Sequence, residues 1–232
     1  MDIFALGPAE WQAIRLSLWV ALWAVAGSLG PAIAVAWILA RLRFPGKTLL
    51  DGLVHLPLVV PPVVTGYLLL VILGRRGVVG SWLHDVFGLN FMFDWKGAAV
   101  ASAVVAFPLM VRAIRQSVEA VDVGLEQAAR TLGAGRWRVF LTIILPLALP
   151  GVLAGLVLAF ARGLGEFGAT ITFVSNIPGQ TRTLPLALYS ALQAPGGEEV
   201  AARLCVVAMV LALGALLASE LLSRRLAARL GG

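Results

Sequence analysis

The stretch EQAARTLGAGRW, residues 126–137, holds two arginines, a glutamate and two glycines, and it sits between two of the most apolar regions of the chain. A polar segment flanked by runs long enough to cross hydrocarbon belongs to a loop outside the bilayer, because an unpaired polar segment is not tolerated within it. Within this loop Leu125, Ala128, Ala129 and Leu132 recur at helical spacing, while Glu126, Gln127 and Arg130 fall on the other faces. That spacing predicts a short amphipathic helix. Gly133 and Gly135 then supply the permissive backbone that ends a helix and turns the chain.

Outward from this loop the chain is apolar. Its 232 residues are 60% hydrophobic, with a mean hydropathy of +0.94, which excludes an ordinary soluble domain. The expected fold class is an all-α integral membrane protein with five or six transmembrane helices in one domain over residues 1–232. Runs long enough to span occur at 14–40, 51–74, 96–118, 147–173 and 200–222. The segment 184–192 is too short to span and is expected at the interface or as a re-entrant piece. No cleavable leader is expected, because no basic cluster precedes the first run.

The net charge of +6 is spread through loops, with no basic face interleaved with aromatics, so nucleic acid is not an expected partner. Arg41, Arg43 and Lys47, then Arg112 and Arg115, then Arg130, Arg136 and Arg138, then Arg224, Arg225 and Arg229 all fall on one side of a five-span arrangement. The excess of cations on the cytoplasmic side puts the N-terminus outside and the C-terminus in the cytoplasm, against which Arg75 and Arg76 stand as exceptions. Cys205 is alone, and His55 and His84 lack metal-ligand spacing, so no metal site and no catalytic residue is expected. PGKT at 45–48 resembles the end of a phosphate-binding loop, but the first glycine it requires is Arg41.

Three features within the apolar runs carry further expectations. Pro57, Pro61 and Pro62 interrupt the second run and remove three amide donors, which predicts a kinked, gate-forming helix. Arg162 and Glu166 lie four apart in the fourth run and are read as pathway-lining groups, an orienting ion pair, or both. Gly151, Gly155, Ala159 and Gly163 form a small-residue stripe on that run, a packing seam for a neighbouring span or for a second copy of the chain.

With two alanines, Ala128 and Ala129, then Gly133, then Ile143, Leu145 and Pro146 in register, the loop resembles that of the permease subunits of type I ATP-binding-cassette importers. The resemblance implies that Glu126, Gln127, Ala128, Ala129, Arg130, Gly133 and Arg136 form a coupling helix that docks in a cleft of a cytosolic ATPase dimer. It departs from the family pattern at the acidic position before the two alanines, which is Gln127 here, with Glu126 one place earlier. It further implies a second copy of the chain around a central path, an extracytoplasmic binding protein, a location in the inner membrane, and ATP and magnesium held by the ATPase rather than by this chain.

Over nearly its whole length the sequence is similar to the permeases of molybdate importers, above all in LGEFGATITFVSNIPGQTRTLPLALY, residues 164–189. Sulfate and thiosulfate permeases share the general plan, and tungstate is a second candidate cargo. Arg162, Thr170, Thr172, Ser175 and Asn176 offer a cation and neutral donors compatible with a tetrahedral oxyanion. Competing classes are a gradient-driven carrier, which would show paired repeats with broken helices in both halves where only one half has such a break, and an intramembrane enzyme, for which no nucleophile and base are arranged.

Overall fold

The computed structural model describes residues 6–230, with side chains described to residue 218 and at Leu221. Every regular element among them is helical. The order begins α1 (Pro8–Arg41), α2 (Lys47–Val59), α3 (Pro62–Leu73), α4 (Val78–Phe87), α5 (Trp95–Ala120) and α6 (Val123–Thr131). It continues through α7 (Arg136–Val139), a π-helical turn (Phe140–Ile144), α8 (Leu145–Leu164), α9 (Gly168–Val174), α10 (Leu184–Gln193) and α11 (Glu198–Leu230). Among the described residues four helical stretches are long and apolar enough to cross a membrane, or five if the bent pair α2 and α3 counts as one span.

The bundle is built on α1, α5 and α8, which pack on one another more closely than any other trio. The stripe on α8 meets α5. A Cβ on Gly151 would stand 2.2 Å from the Ser117 Cβ, and one on Gly155 would stand 3.1 Å from the Met110 carbonyl oxygen. Of the two partners the sequence allowed, the neighbouring span is the one found. In lipid the gain comes from this close backbone approach and the dispersion it permits, since hydrocarbon surrounds the helices in either state. Leu39, Met110, Val111, Ile114, Val139 and Ile144 fill the same core toward one end.

At the other end Trp19 meets Trp23 and Trp95 edge-on and the latter two are tilted to each other, with ring centroids 5.7 to 6.2 Å apart, a cluster suited to a headgroup boundary. There α11 is tied to α1 by Arg203, whose Nε donates to Glu10 Oε1 at 3.0 Å, while the other carboxylate oxygen accepts the Gly7 N–H. The segment beginning at Leu184 forms α10. It packs on α1 and α11, with its first N–H donating to Ser17 Oγ at 2.6 Å.

Two breaks revise the expected spans. At Val60 and Pro61 the chain turns by 116° between α2 and α3, so the second run is two half-length helices rather than one kinked helix. Adjacent prolines supply no N–H across the join, and the residue before a proline is held extended; Val60 has φ −74°, ψ 135°. The fourth run does not continue to residue 173. Helix α8 ends at Leu164, and α9 starts afresh at Gly168. Broken helices therefore occur in both halves of the chain, not in one.

The two pieces beyond the breaks pack together. A Cβ on Gly66 of α3 would lie 2.6 Å from the Ala169 carbonyl oxygen of α9, and one on Gly168 would lie 2.9 Å from the Pro62 Cβ. The amphipathic α4, which exposes Val78, Trp82 and Phe87, has no counterpart among the expected elements.

Candidate coupling helix and translocation elements

Helix α6 is defined at both ends by its own residues. Asp122 caps it, its carboxylate accepting the Gly124 N–H at 2.8 Å. After Leu132, Gly133 adopts φ +84°; its N–H donates to the Arg130 carbonyl and the Ala134 N–H to the Ala129 carbonyl, both at 3.0 Å. This paired arrangement satisfies two carbonyls at the helix end and requires a left-handed residue at its centre. Gly135 has φ −69° and caps α7, so of the two glycines only Gly133 performs the turn. Open space surrounds Gly133, and the demand for glycine there is one of backbone conformation alone.

Glu126 is the one buried residue of α6. Its carboxylate meets Arg41 Nε, at the end of α1, at 2.7 Å, in an ion pair whose angle falls outside hydrogen-bond geometry. Arg41 Nη2 also donates to the Val121 carbonyl at 2.7 Å. The acid of α6 is therefore turned into the protein. Gln127, Ala128 and Arg130 are exposed, Ala129 is half-buried against the core, and Arg136 is exposed at the start of α7. Outside stands an apolar surface: Val123 and Leu125 are 48% exposed, Leu132 88% and Trp137 77%. Sequence reasoning missed Arg41 as the acid's partner, counting it only as a topology charge.

Between α7 and α8 the backbone widens into the π turn, closed by the Leu145 N–H donating to the Phe140 carbonyl. Pro146 follows at once. A proline ring crowds the carbonyl four residues back, and one wide turn relieves that crowding without ending the helix.

At the far end of α8, Arg162 Nη1 lies 2.8 Å from Glu166 Oε2, with side-chain exposures of 31% and 1%. Glu166 lies past the end of the helix, in the break, and its other oxygen accepts the Ala169 N–H at 2.8 Å. It thus joins the end of α8 to the first turn of α9. Thr170 is buried with its hydroxyl unpartnered, and Thr172 donates to the Gly168 carbonyl at 2.8 Å. Ser175 and Asn176 lie beyond α9, off any span. Ser175 has φ +68°, and the Asn176 amide bridges Arg182 Nε, at 2.9 Å, to Ser190 Oγ, at 2.8 Å.

The expected pathway set is therefore three groups: the pair in the break, the two threonines of α9, and a polar cluster around Asn176 that gains Arg182. Pro57 lies inside α2, while Pro61 and Pro62 flank the first break. Near the α6 end of the bundle, α2 and α5 enclose a polar cavity of about 520 Å³. There Arg115 joins Asp51 at 3.0 Å and Glu119 at 2.8 Å, and His55 lies 3.1 Å from Asp51. None of these groups was singled out as a site from sequence.

A sequence profile described as the binding-protein-dependent transport system inner membrane component matches residues 32–230. The molybdenum transport system permease protein ModB of Escherichia coli K12 is 65% identical over 215 residues, covering 93% of this chain and 94% of that one. ModB of Haemophilus influenzae is 64% identical, covering 96% and 97%. The sulfate transport system permease protein CysT of E. coli K12 is 38% identical, covering 77% and 65%. Among solved structures, a bacterial ABC transporter involved in import of the acidic polysaccharide alginate aligns with a TM-score of 0.75 at 19% identity, covering 97% of this chain and 83% of that one.

Proposed function

The chain belongs to the family of inner-membrane components of binding-protein-dependent transport systems, and on that premise we propose that it is the permease of an ATP-driven molybdate importer. It is a multi-pass transport subunit of the ABC importer class and not itself an enzyme. The observation that carries the choice of molybdate is its near-full-length identity to molybdenum permeases, well above its identity to a sulfate permease.

In this reading two copies of a single-domain chain enclose the path. Helix α2 has no buried residue, and α3 exposes Val63, Val64, Tyr67, Leu68, Val71 and Ile72. A second copy is the occupant suited to these apolar faces. The N-terminus lies outside and the C-terminus in the cytoplasm, which puts α6 and the arginine-rich loops inside. An extracytoplasmic binding protein delivers the anion, and a cytosolic ATPase dimer binds ATP and magnesium.

The ATPase cleft takes the outward face of α6, with Leu125, Gln127, Ala128 and Leu132 as contacts, while Glu126 holds the helix to α1. Movement of the ATPase then displaces α6 together with the end of α1, through Arg41, and with α8, through α7 and the π turn. At the other end of α8, Glu166 passes the displacement to α9 and, through Gly66 and Gly168, to α3. Alternating access needs such packed elements with two arrangements. Arg162, the more open member of its pair, is the cation offered to the passing anion, with Thr172 as a neighbouring hydroxyl.

Uptake of molybdate into liposomes that hold the chain, its ATPase and its binding protein tests this reading. Expected is uptake that requires ATP and every component and that resists excess sulfate. Abolition by sulfate would move the cargo to sulfate, and uptake independent of ATP would refute the mechanism.

A further inference from the structure

We infer that the junction of α1, α2, α6 and α7 is a binding site for a phosphate-bearing anion, separate from the path. A cavity of about 510 Å³ lies there, at the end of the bundle opposite the tryptophan cluster. Five cations line it: Arg41, Arg43, Lys47, Arg130 and Arg136. Its one carboxylate, Glu126, is engaged by Arg41, and among the described residues the other four cations form no ion pair. Trp37 lines the cavity beside these cations.

Like charges gathered around a partly enclosed space repel one another unless a counter-ion joins them. Guanidinium groups bind phosphate oxygens through paired N–H donors, and lysine adds a point charge. The cavity lies where α1, an apolar helix long enough to span, ends and α2 begins, a position at which a lipid headgroup and a soluble anion are both candidates. An anion there would bridge the end of α1 to the coupling helix, so that its occupancy bears on how firmly α6 is held. The site does not depend on which solute is transported, so its failure leaves the molybdate reading untouched.

The test is native mass spectrometry of the purified permease with phosphatidylglycerol, phosphatidylcholine or inorganic phosphate, on the wild type and on the double variant Arg43→Gln/Lys47→Gln. Expected is retention of phosphatidylglycerol over phosphatidylcholine. Removing one charge-assisted hydrogen bond weakens binding roughly tenfold, so the double variant should bind about a hundredfold more weakly. The charge-conserving Arg43→Lys/Lys47→Arg should bind within a few-fold of wild type, with circular dichroism confirming that each variant is folded.

Binding of inorganic phosphate that depends on the same two residues, without lipid binding, would assign the site to a soluble anion. Equal binding by wild type and Gln variant, or no binding by either, would overturn the proposal. Release of the anion whenever the ATPase is docked would also overturn it, because a partner's carboxylate would then be the occupant.

Discussion

Replacing Glu126 by glutamine removes one charge from a pair that is 2.7 Å apart and has side-chain exposures of 14% for Arg41 and 7% for Glu126. Breaking a fully buried pair by removing one partner costs about 3 to 5 kcal/mol. Arg41 keeps its hydrogen bond to the Val121 carbonyl and some access to water, so about 2 kcal/mol is expected here. The nine residues of α6 are too few to hold a helix without tertiary support, so the cost falls on the docking of this helix rather than on the whole bundle. A 2 kcal/mol penalty is roughly a thirtyfold change in an opening equilibrium. Hydrogen exchange across residues 123–131 should therefore speed up by about that factor in Glu126→Gln, while α5 and α8 exchange as before. Gln127→Ala, at an exposed position, should leave exchange unchanged in the isolated permease and weaken ATPase docking instead. Exchange in Glu126→Gln within about twofold of wild type would refute the inward role of this glutamate, as would a larger effect at Gln127.

Substitutions at four other positions have defined outcomes. Gly133→Ala forces a Cβ into φ +84° and should lower the thermal stability of α6 by about 1 to 2 kcal/mol; Gly133→Val should cost more and separate ATP hydrolysis from uptake, whereas Gly135→Ala should be tolerated. Gly66→Ala, whose Cβ would meet the Ala169 carbonyl at 2.6 Å, should part α3 from α9 at a cost of about 1 to 3 kcal/mol, read as a lower melting temperature and abolished uptake. Arg162→Gln should reduce translocation while leaving capture by the binding protein unchanged, and unaltered uptake rates would remove Arg162 from the path.

Much of the bundle was legible in the sequence because lipid imposes a simple rule on length and hydropathy. The two adjacent prolines announced the first break, and the glycines of α8 announced a close helix contact. The second break was hidden because residues 147–173 stay apolar on average, and averaging conceals a few residues of irregular backbone. Its local signal was Glu166 flanked by Gly165 and Gly168, a carboxylate able to accept the N–H groups that a new helix exposes. For α6 the periodicity revealed two faces but not which one turns inward. Apolar and polar residues are exposed side by side on this helix, so polarity alone does not decide the matter, and the answer depended on Arg41, remote in sequence. Asp51, Arg115 and Glu119 were likewise brought together by packing of α2 on α5, which no local pattern encodes.

The π turn between α7 and α8 sets a phase. Each residue of a helix advances about 100° around its axis, so the additional residue in Phe140–Ile144 offsets the surface that carries α6 and α7 from the surface that packs against α5. Deleting one residue there would draw the backbone toward regular α-helical winding and return the crowding of the Pro146 ring against the preceding turn, while the half packed on α5 kept its seat. The half that carries α6 and α7 would then face a different quarter of the compass. For this chain the spacing between Gly133 and Pro146 is an angular coordinate as much as a length.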